Sequence, residues 1–379
     1  MRDKYDNYSL ICAVRQGDLE RTKELINSYG LSYSKDWSEE SRRDALINGK
    51  IEIAKLLSNP RCKVRGMAFD SILHLAVASS NIELVEMILD KGATINKFNK
   101  LGETPFHCSI INNDGNVDMT KLLLKYGSDV NARTSYGASP LHLAASEGYS
   151  QTVDYLLKNG AHVDCVYTTH TRHNGYTPLH CAAEKGITEV VQLLLDSGAN
   201  VEAKGEDSKT PVHIAVSNKK ETIVKLLLRY GAKVDNQDKN GKTALHLAAE
   251  KGTTEVVQLL LDSGANVDAK AKDKNTPLHF AVSNPGNIEI VKLLLNYGCK
   301  VSSTLLHSAV SNPGNIEIVK FLLNYGCKVS STLLHLAVAS SDTEVVEMIL
   351  DKGASINGVN TLGETPLHCA IKNNNKMLI

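Results

Sequence analysis

The sequence lacks long hydrophobic runs and any excess of charge of one sign. Its 42 Lys and Arg residues balance 42 Asp and Glu residues among 379 positions. Nucleic acids and anionic membranes attract basic surfaces, so this balance argues against both as partners. The first apolar run covers residues 10–14, too short for a secretory leader or for a membrane span of about 20 residues. We therefore expect no membrane insertion and a cytoplasmic or nuclear protein.

Cysteine and aromatic residues are also scarce. The chain has 8 cysteines and one tryptophan, and aromatic residues make up 5% of it. Secreted domains that depend on disulfides are much richer in cysteine, so we expect reduced thiols. The apolar fraction of 42% is ordinary for a folded protein and excludes disorder over most of the chain.

Repetition is what the sequence has in abundance. The tetrapeptide Thr-Pro-Leu-His begins at Thr177, Thr276 and Thr365, and close variants recur mostly 33 residues apart. Ten of the thirteen histidines occupy its last position. They are His74, His107, His142, His180, His213, His246, His279, His307, His335 and His368.

Each repeat predicts two short helices. Thr177 is a good N-cap, and Pro178 suits the first helical position because its missing N–H leaves no hydrogen bond unmade. Gly186 is typical of a helix end. The apolar spacing over 189–195 predicts a second helix, which Gly198 stops. One such repeat cannot bury its helices alone, so neighbouring repeats must stack.

A 33-residue period with this tetrapeptide resembles the ankyrin repeat. The resemblance covers residues 71–379 well and residues 10–57 loosely. It implies an all-α solenoid of about twelve repeats with short β-hairpin fingers. It also implies a concave groove, lined by inner helices and fingers, that binds other proteins.

Three regions differ in how well they follow the pattern. Residues 1–70 hold degenerate repeats with an insertion at 31–43, which we interpret as an N-terminal cap or, alternatively, as a partner contact. Residues 71–301 hold regular repeats, one with an extended finger at 165–174. Residues 302–379 hold repeats of which the first two lack the finger and the last is truncated. We predict a gap in the row of fingers there.

Candidate chemistry is limited. The repeated histidine is better explained by a hydrogen bond that locks its turn than by catalysis, and no phosphate-binding glycine loop or H-E-x-x-H motif is present. We expect no cofactor. Zinc-ligand types cluster in the long finger, where an exposed polar loop is the alternative to a metal site. Asn131 resembles the ankyrin asparagines that a 2-oxoglutarate oxygenase hydroxylates. The metal candidates are His162, Cys165, His170 and His173.

The expected protein-binding surface combines finger tips and the exposed face of the inner helices. Tyr136, Tyr149 and Tyr176 are the expected anchors because aromatic residues dominate binding energy at interfaces. The finger-tip candidates are Asn99, Lys100, Ser135, Tyr136, Tyr176, Asp207, Lys209, Asp238, Lys239, Asn240, Asp273 and Lys274. The inner-helix candidates are Ser146, Glu147, Tyr149, Glu184, Lys185, Ser217, Asn218, Glu250 and Lys251.

These observations favour a monomeric, non-enzymatic scaffold or adaptor that binds partner proteins through its groove. One alternative is an adaptor that recruits substrates to a ubiquitin ligase, as some ankyrin proteins of viruses and insects do. That alternative requires an F-box-like segment beyond the present C-terminus. The other alternative is a scaffold with a minor metal-binding finger. Fold analogy names neither the partner nor its pathway.

Overall fold

The computed structural model describes residues 73–373, apart from residues 75, 79, 91, 92, 100, 113, 114, 116, 169–173, 303, 313, 331 and 341. The predicted cap at 31–43 lies outside the described residues. The chain forms two compact units, unit 1 over Met1–Asn200 and unit 2 over Val201–Ile379. The division suggested by the repeat pattern, with boundaries after residues 70 and 301, is a different one and stays a prediction.

Helices account for most of the regular structure in both units. The helices described in unit 1 are α1 (Ile82–Asp90), α2 (Pro105–Asn112), α3 (Val117–Lys125), α4 (Pro140–Glu147), α5 (Ser150–Lys158), α6 (Pro178–Lys185) and α7 (Thr188–Asp196). Those described in unit 2 are α8 (Pro211–Ser217), α9 (Glu221–Arg229), α10 (Ala244–Lys251), α11 (Thr254–Asp262), α12 (Pro277–Ala281), α13 (Ile288–Asn296), α14 (Leu305–Val310), α15 (Ile316–Asn324), α16 (Leu333–Ser340), α17 (Thr343–Asp351) and α18 (Pro366–Lys372). Short 3-10 turns at Glu206–Ser208 and Pro285–Asn287 complete unit 2.

The first helix of the repeat at Thr177 begins and ends where the sequence predicts. Helix α6 starts with Pro178 after an extended Thr177, and the side chains of Thr177 and His180 form a reciprocal capping box. Gly186 ends the helix in the left-handed region, with a φ of 85°, and its N–H donates to the Ala182 carbonyl oxygen at 2.9 Å. A residue with a Cβ would be strained in this conformation, which explains the glycine.

The second helices are amphipathic. In α9, Ile223, Val224, Leu226 and Leu227 are buried, whereas the charged residues at both ends are exposed. This spacing places the apolar side chains on one face of the helix. Burial of that face requires a neighbouring helix.

Stacking supplies that neighbour. In unit 1, α2, α4 and α6 pack on one another in chain order, and α3, α5 and α7 do the same. In unit 2, the first helices α8, α10, α12, α14, α16 and α18 form one such row, and the second helices α9, α11, α13, α15 and α17 form the other. The chain is therefore an all-α solenoid within each unit, as the sequence predicts.

The fingers are hairpin turns. Backbone hydrogen bonds close them, for example from Asp238 N to Lys242 O at 2.9 Å and from Ala271 N to Asn275 O at 2.9 Å. No strand is assigned among the described residues, so the expected β-hairpins reduce to turns. In the ordinary fingers only three residues separate the bonded pair, and the second backbone bond lies inside the turn, as from Gly241 N to Asp238 O.

The connections between α13 and α14 and between α15 and α16 are shorter than those between the other repeats. Residues 297–304 link α13 and α14, whereas residues 263–276 link α11 and α12. Among the described residues of this first short connection no backbone bond closes a hairpin. The last finger before this point is formed by residues 269–275.

Candidate protein-binding surface

The motif histidines join consecutive repeats rather than forming reactive sites. The Nδ1 atom of His142 accepts the N–H of Ser139 at 3.2 Å, so its proton resides on Nε2. Nε2 lies 3.0 Å from the carbonyl oxygen of Tyr176, in the next repeat, and donates to it. Burial lowers the pKa of His142 to about 4 despite the favourable hydrogen bond to Tyr176. A neutral imidazole used at both nitrogens leaves no nitrogen for acid–base chemistry.

A second set of side chains also links the repeats. In unit 1, the Asn96 carboxamide oxygen accepts the N–H of Asp129 at 2.9 Å. At the same position of the next repeat, Asn131 accepts the N–H of His162 at 2.8 Å. Asp164 then accepts the N–H of Asn200 at 2.9 Å. We call this series the acceptor ladder; it fixes the base of each finger against its neighbour.

Both polar atoms of the Asn131 side chain form hydrogen bonds within this ladder. Its carboxamide nitrogen donates to the Gly160 carbonyl oxygen at 3.0 Å, and its carboxamide oxygen accepts from His162. The side chain therefore has a structural role. Hydroxylation of Asn131 stays a prediction.

The metal hypothesis concerns the long finger. His162 is exposed, and the Cys165 sulfur lies 3.1 Å from Ser139 Oγ and 3.5 Å from His142 Nδ1. His170 and His173 lie outside the described residues. Across the part of the chain that the structure describes, no group of three or more potential ligands is close enough to hold a metal ion.

The predicted binding residues differ in exposure. Lys100 lies outside the described residues. The exposed candidates are Ser135, Tyr136, Glu147, Lys185, Asn218, Lys239, Asn240, Glu250, Lys251, Asp273 and Lys274. The half-buried candidates are Asn99, Ser146, Tyr149, Glu184, Asp207, Lys209 and Ser217.

Tyr176 is not an exposed anchor, which corrects the expectation for this residue. Only 7% of it is exposed, and its ring stacks on His180 with centroids 5.0 Å apart. The reason is its place immediately before the N-cap Thr177. That place is the base of the finger, where the backbone carbonyl receives the hydrogen bond from His142.

Asp238 is also buried, with 7% exposed, contrary to its expected place on the surface. Its carboxylate accepts the N–H groups of Asn240 at 2.8 Å and Lys242 at 2.9 Å. Asn99 has the same role in unit 1, where it accepts the N–H groups of Leu101 and Glu103. These side chains shape the finger from within, as Asx turns do.

Tyr149 is half-buried and packs against backbone. A Cβ placed on Gly115 would lie 2.7 Å from the Tyr149 ring, so the ring fits closely over this glycine. The contact joins two consecutive repeats of unit 1. It leaves only part of the ring for a partner.

The sequence analysis missed most of the exposed apolar residues on the fingers of unit 1. Phe98, Leu101, Tyr136 and Val166 are exposed to 55%, 59%, 58% and 37%. Only Tyr136 is among the predicted residues. Leu101 and Tyr136 each stand three residues before a capping Thr or Ser, which is the tip of the finger. An apolar residue three positions before the cap would therefore have predicted an exposed apolar finger tip.

The first finger tips of unit 2 carry charged residues, whereas its last finger carries the exposed apolar residue Leu362. The Asp207 carboxylate lies 3.4 Å from Lys239 Nζ and 3.8 Å from Lys209 Nζ. Lys242 pairs with Glu250 at 2.7 Å. Exposed ion pairs of this kind add little stability, typically about 0–1 kcal/mol. Their importance lies in the pattern of charge that they present.

No helix among the described residues is long and apolar enough to cross a bilayer. A search of the curated proteins finds no match to this chain. Among solved structures, the ankyrin repeat domain of human ASB11 is similar, with 28% sequence identity and a TM-score of 0.53. The similarity covers 61% of this chain and 99% of that domain. A family model described as ankyrin repeats in three copies matches residues 73–167, 164–238, 212–304 and 306–379. The chain therefore belongs to the ankyrin-repeat family.

Proposed function

We propose that this protein is a non-enzymatic scaffold or adaptor that binds a partner protein along the finger edge of unit 1. Ankyrin repeats are in general protein–protein interaction modules. The observation that carries the proposal is the set of four exposed apolar side chains at the tips and bases of the fingers, Phe98, Leu101, Tyr136 and Val166. Single exposed apolar residues are common on any protein, but a contiguous group of them marks an interaction surface.

Hydrogen bonds between the fingers support the contiguity of this group. Ser135 Oγ donates to the Leu101 carbonyl oxygen at 2.8 Å, so the tips of the first two fingers adjoin. The Arg133 guanidinium donates to the Val166 carbonyl oxygen, so the second and third fingers adjoin as well. The four apolar side chains thus lie on three neighbouring fingers. We refer to them as the apolar finger edge.

The acceptor ladder makes this edge suitable for binding. Asn96 and Asn131 fix consecutive fingers through backbone N–H groups, so the tips are held before a partner arrives. A preorganised surface loses less conformational entropy on binding than a mobile one. The exposed polar residues of the inner helices, such as Glu147 and Lys185, form the expected polar rim.

The state of the thiols supports a binding rather than a catalytic role. Burial raises the pKa of Cys108 to about 12, and it also raises the pKa of Cys181. The thiolate is the nucleophilic form of cysteine, so both thiols are poor nucleophiles at neutral pH. Both ring nitrogens are hydrogen-bonded in four buried motif histidines whose pKa values are lowered by burial, namely His107, His142, His213 and His246. We therefore propose a protein without enzymatic activity.

The experiment compares two pairs of equivalent residues. Residues 71–113 and 332–374 match at 31 of 43 positions, and this alignment pairs Phe98 with Val359 and Leu101 with Leu362. A photo-crosslinking residue in place of Tyr136 would identify the partner in a cell lysate. The dissociation constant of the purified partner would then be measured for Phe98→Ser/Leu101→Ser and for Val359→Ser/Leu362→Ser.

We expect the first double variant to weaken binding at least about tenfold, which corresponds to about 1.4 kcal/mol. The second double variant removes apolar side chains of unit 2 that are at least as exposed, and it serves as the matched control, with binding retained. Equal losses in both variants, or full affinity in the first, would refute the apolar finger edge as the binding site.

A further inference from the structure

The fingers of unit 2 are joined tip to tip by backbone hydrogen bonds. The Asp207 carbonyl oxygen accepts the N–H of Lys239 at 2.6 Å, and the Asn240 carbonyl oxygen accepts the N–H of Lys272 at 2.9 Å. Asp207 and Asn240 each stand three residues before a capping Thr. Asp273 has the same register before Thr276. Each tip carbonyl is therefore an acceptor for the next finger.

The series stops at Asp273. The next connection, residues 297–304, is too short to form a finger, and no described N–H group donates to the Asp273 carbonyl oxygen. The outer edge of the finger formed by residues 269–275 thus faces the place where the next finger is missing. We call this place the finger gap.

The finger beside the gap is basic. Lys270, Lys272 and Lys274 are exposed, and none of the three forms a described ion pair. The one acidic side chain of this finger, Asp273, is engaged by the Asn275 backbone N–H at 3.0 Å and by the Asn275 side-chain nitrogen at 2.9 Å. By contrast, Lys239 and Lys242 in the preceding finger are paired with acidic residues.

Hydroxyl groups lie next to the same gap. His279 Nε2 lies 2.9 Å from Ser302 Oγ and 3.1 Å from Thr304 Oγ1, and the two hydroxyl oxygens are 2.8 Å apart. His279 Nδ1 accepts the N–H of Thr276, so Nε2 carries a proton. The hydrogen bond between the two hydroxyls uses only one of their two protons, and Nε2 cannot accept the other because it is itself a donor. One hydroxyl proton must therefore be donated to an acceptor outside the group.

We propose that the finger gap binds an extended acidic segment of a partner protein, which takes the place of the missing finger. A backbone N–H of the segment donates to the Asp273 carbonyl oxygen, as the N–H of Lys272 does to Asn240. Carboxylates of the segment face Lys270, Lys272 and Lys274, and one of them accepts the free hydroxyl proton of Ser302 or Thr304. Charge complementarity selects an acidic occupant. This site lies in unit 2 and does not depend on the apolar finger edge.

The test uses a fluorescein-labelled peptide of eight glutamates and the full-length protein. Fluorescence anisotropy would give the dissociation constant at low ionic strength. The binding variant is Lys270→Glu/Lys272→Glu/Lys274→Glu. The matched control is Lys320→Glu/Lys328→Glu/Lys352→Glu, which changes the net charge equally at other exposed lysines of unit 2. Circular dichroism would verify that both variants are folded.

We expect the binding variant to lose affinity at least about tenfold and the control to lose about twofold or less, since long-range charge alone is screened by salt. A further variant restores a finger by replacing residues 302 and 303 with the sequence of residues 235–242, which carries two acidic and two basic residues. It keeps all three lysines but fills the gap, and it should also abolish binding.

Three outcomes would overturn the proposal. The first is equal affinity loss in the binding variant and the control. The second is full binding by the variant with the restored finger. The third is tighter binding of a single-stranded oligonucleotide of equal charge with the same dependence on the three lysines, which would assign the surface to nucleic acid. None of these outcomes bears on the partner of unit 1, which the Phe98→Ser/Leu101→Ser comparison tests separately.

Discussion

The Nε2 atom of His246 donates a hydrogen bond to the carbonyl oxygen of Asn275, 3.2 Å away in the following repeat. The Nδ1 atom of the same ring accepts the N–H of Thr243 at 3.1 Å, which fixes the proton on Nε2. One imidazole therefore caps its own helix and holds the neighbouring finger. His246 is fully buried, so water cannot replace either bond.

Replacement of His246 by Ala is expected to destabilise unit 2 by about 3 kcal/mol, because it leaves buried hydrogen-bonding groups unsatisfied and opens a cavity. Urea denaturation followed by far-UV circular dichroism would measure the change. The control is His162→Ala, since His162 is exposed and lies outside the tetrapeptide. We expect the control to stay within about 0.5 kcal/mol of wild type. Similar effects of the two variants would contradict the role assigned to His246.

The stability of the fold should decrease between neutral and mildly acidic pH. Burial lowers the pKa values of His107, His213 and His246 and lowers that of His142 to about 4. An unfolded histidine has a pKa of about 6.5, so below that pH the unfolded chain binds more protons than the folded one. This stabilisation is complete above about pH 6.5 and is lost as the pH falls towards 4.

Free energies of unfolding in urea at pH 7.5, 6.5, 5.5 and 4.5 would check this dependence. We expect little change between the first two and a fall of more than about 1 kcal/mol between pH 6.5 and 5.5, because several histidines contribute. His142→Gln should reduce the slope, because it removes one of the histidines whose pKa is lowered by folding. A free energy of unfolding that is constant down to pH 4.5 would contradict the prediction.

Two glycines with the same backbone conformation should respond differently to a methyl group. Gly137 and Gly160 both have positive φ values, 73° and 85°. A Cβ on Gly137 would lie 2.3 Å from Thr168 Oγ1 and 2.7 Å from Thr168 N, whereas a Cβ on Gly160 meets nothing within 4 Å. Gly160→Ala should therefore cost only the backbone strain, about 1 kcal/mol.

Gly137→Ala should cost about 2 kcal/mol more than Gly160→Ala, because the neighbouring finger must move. Thermal unfolding and urea denaturation of both variants would measure the difference. Equal costs would show that the approach between the two fingers is looser than the structure indicates.

The regular parts of the fold could be predicted from the sequence because their causes are local. The cap at Thr177, the proline after it and the stop at Gly186 lie within ten residues, and stacking follows because one repeat cannot bury its helices alone. The candidate surface was harder to predict. Tyr176 and Asp238 both lie in a finger. A shift of one or two residues along the finger decides whether such a side chain is exposed at the tip or buried at the base. Tyr176 lies at the base, and Asp238 turns inward to bind backbone N–H groups.

The apolar finger edge and the finger gap depend on neighbours in space. Leu101 adjoins Ser135 only because the fingers stack, and no local pattern states that distance. The missing finger could be counted from the spacing of Val301 and Thr304. Three features could not be predicted, since each depends on the adjoining repeat: the hydroxyl pair beside His279, the Asp273 carbonyl that no described N–H group reaches, and the lysines without a described ion pair.

Unit 2 has side-chain acceptors at the same repeat position as the acceptor ladder of unit 1, and they affect how cooperatively its repeats fold. Asp235 and Asp268 accept the N–H groups of Asn266 and Lys300, both within 2.9 Å, but the next position is held by Ser302, whose hydroxyl bonds His279 instead. Repeat arrays behave as one-dimensional chains with nearest-neighbour coupling. The coupling free energy between repeats is therefore weakest where the ladder stops. In a hydrogen-exchange experiment, the backbone amides of the repeats after Ser302 should exchange faster than those of the repeats before it.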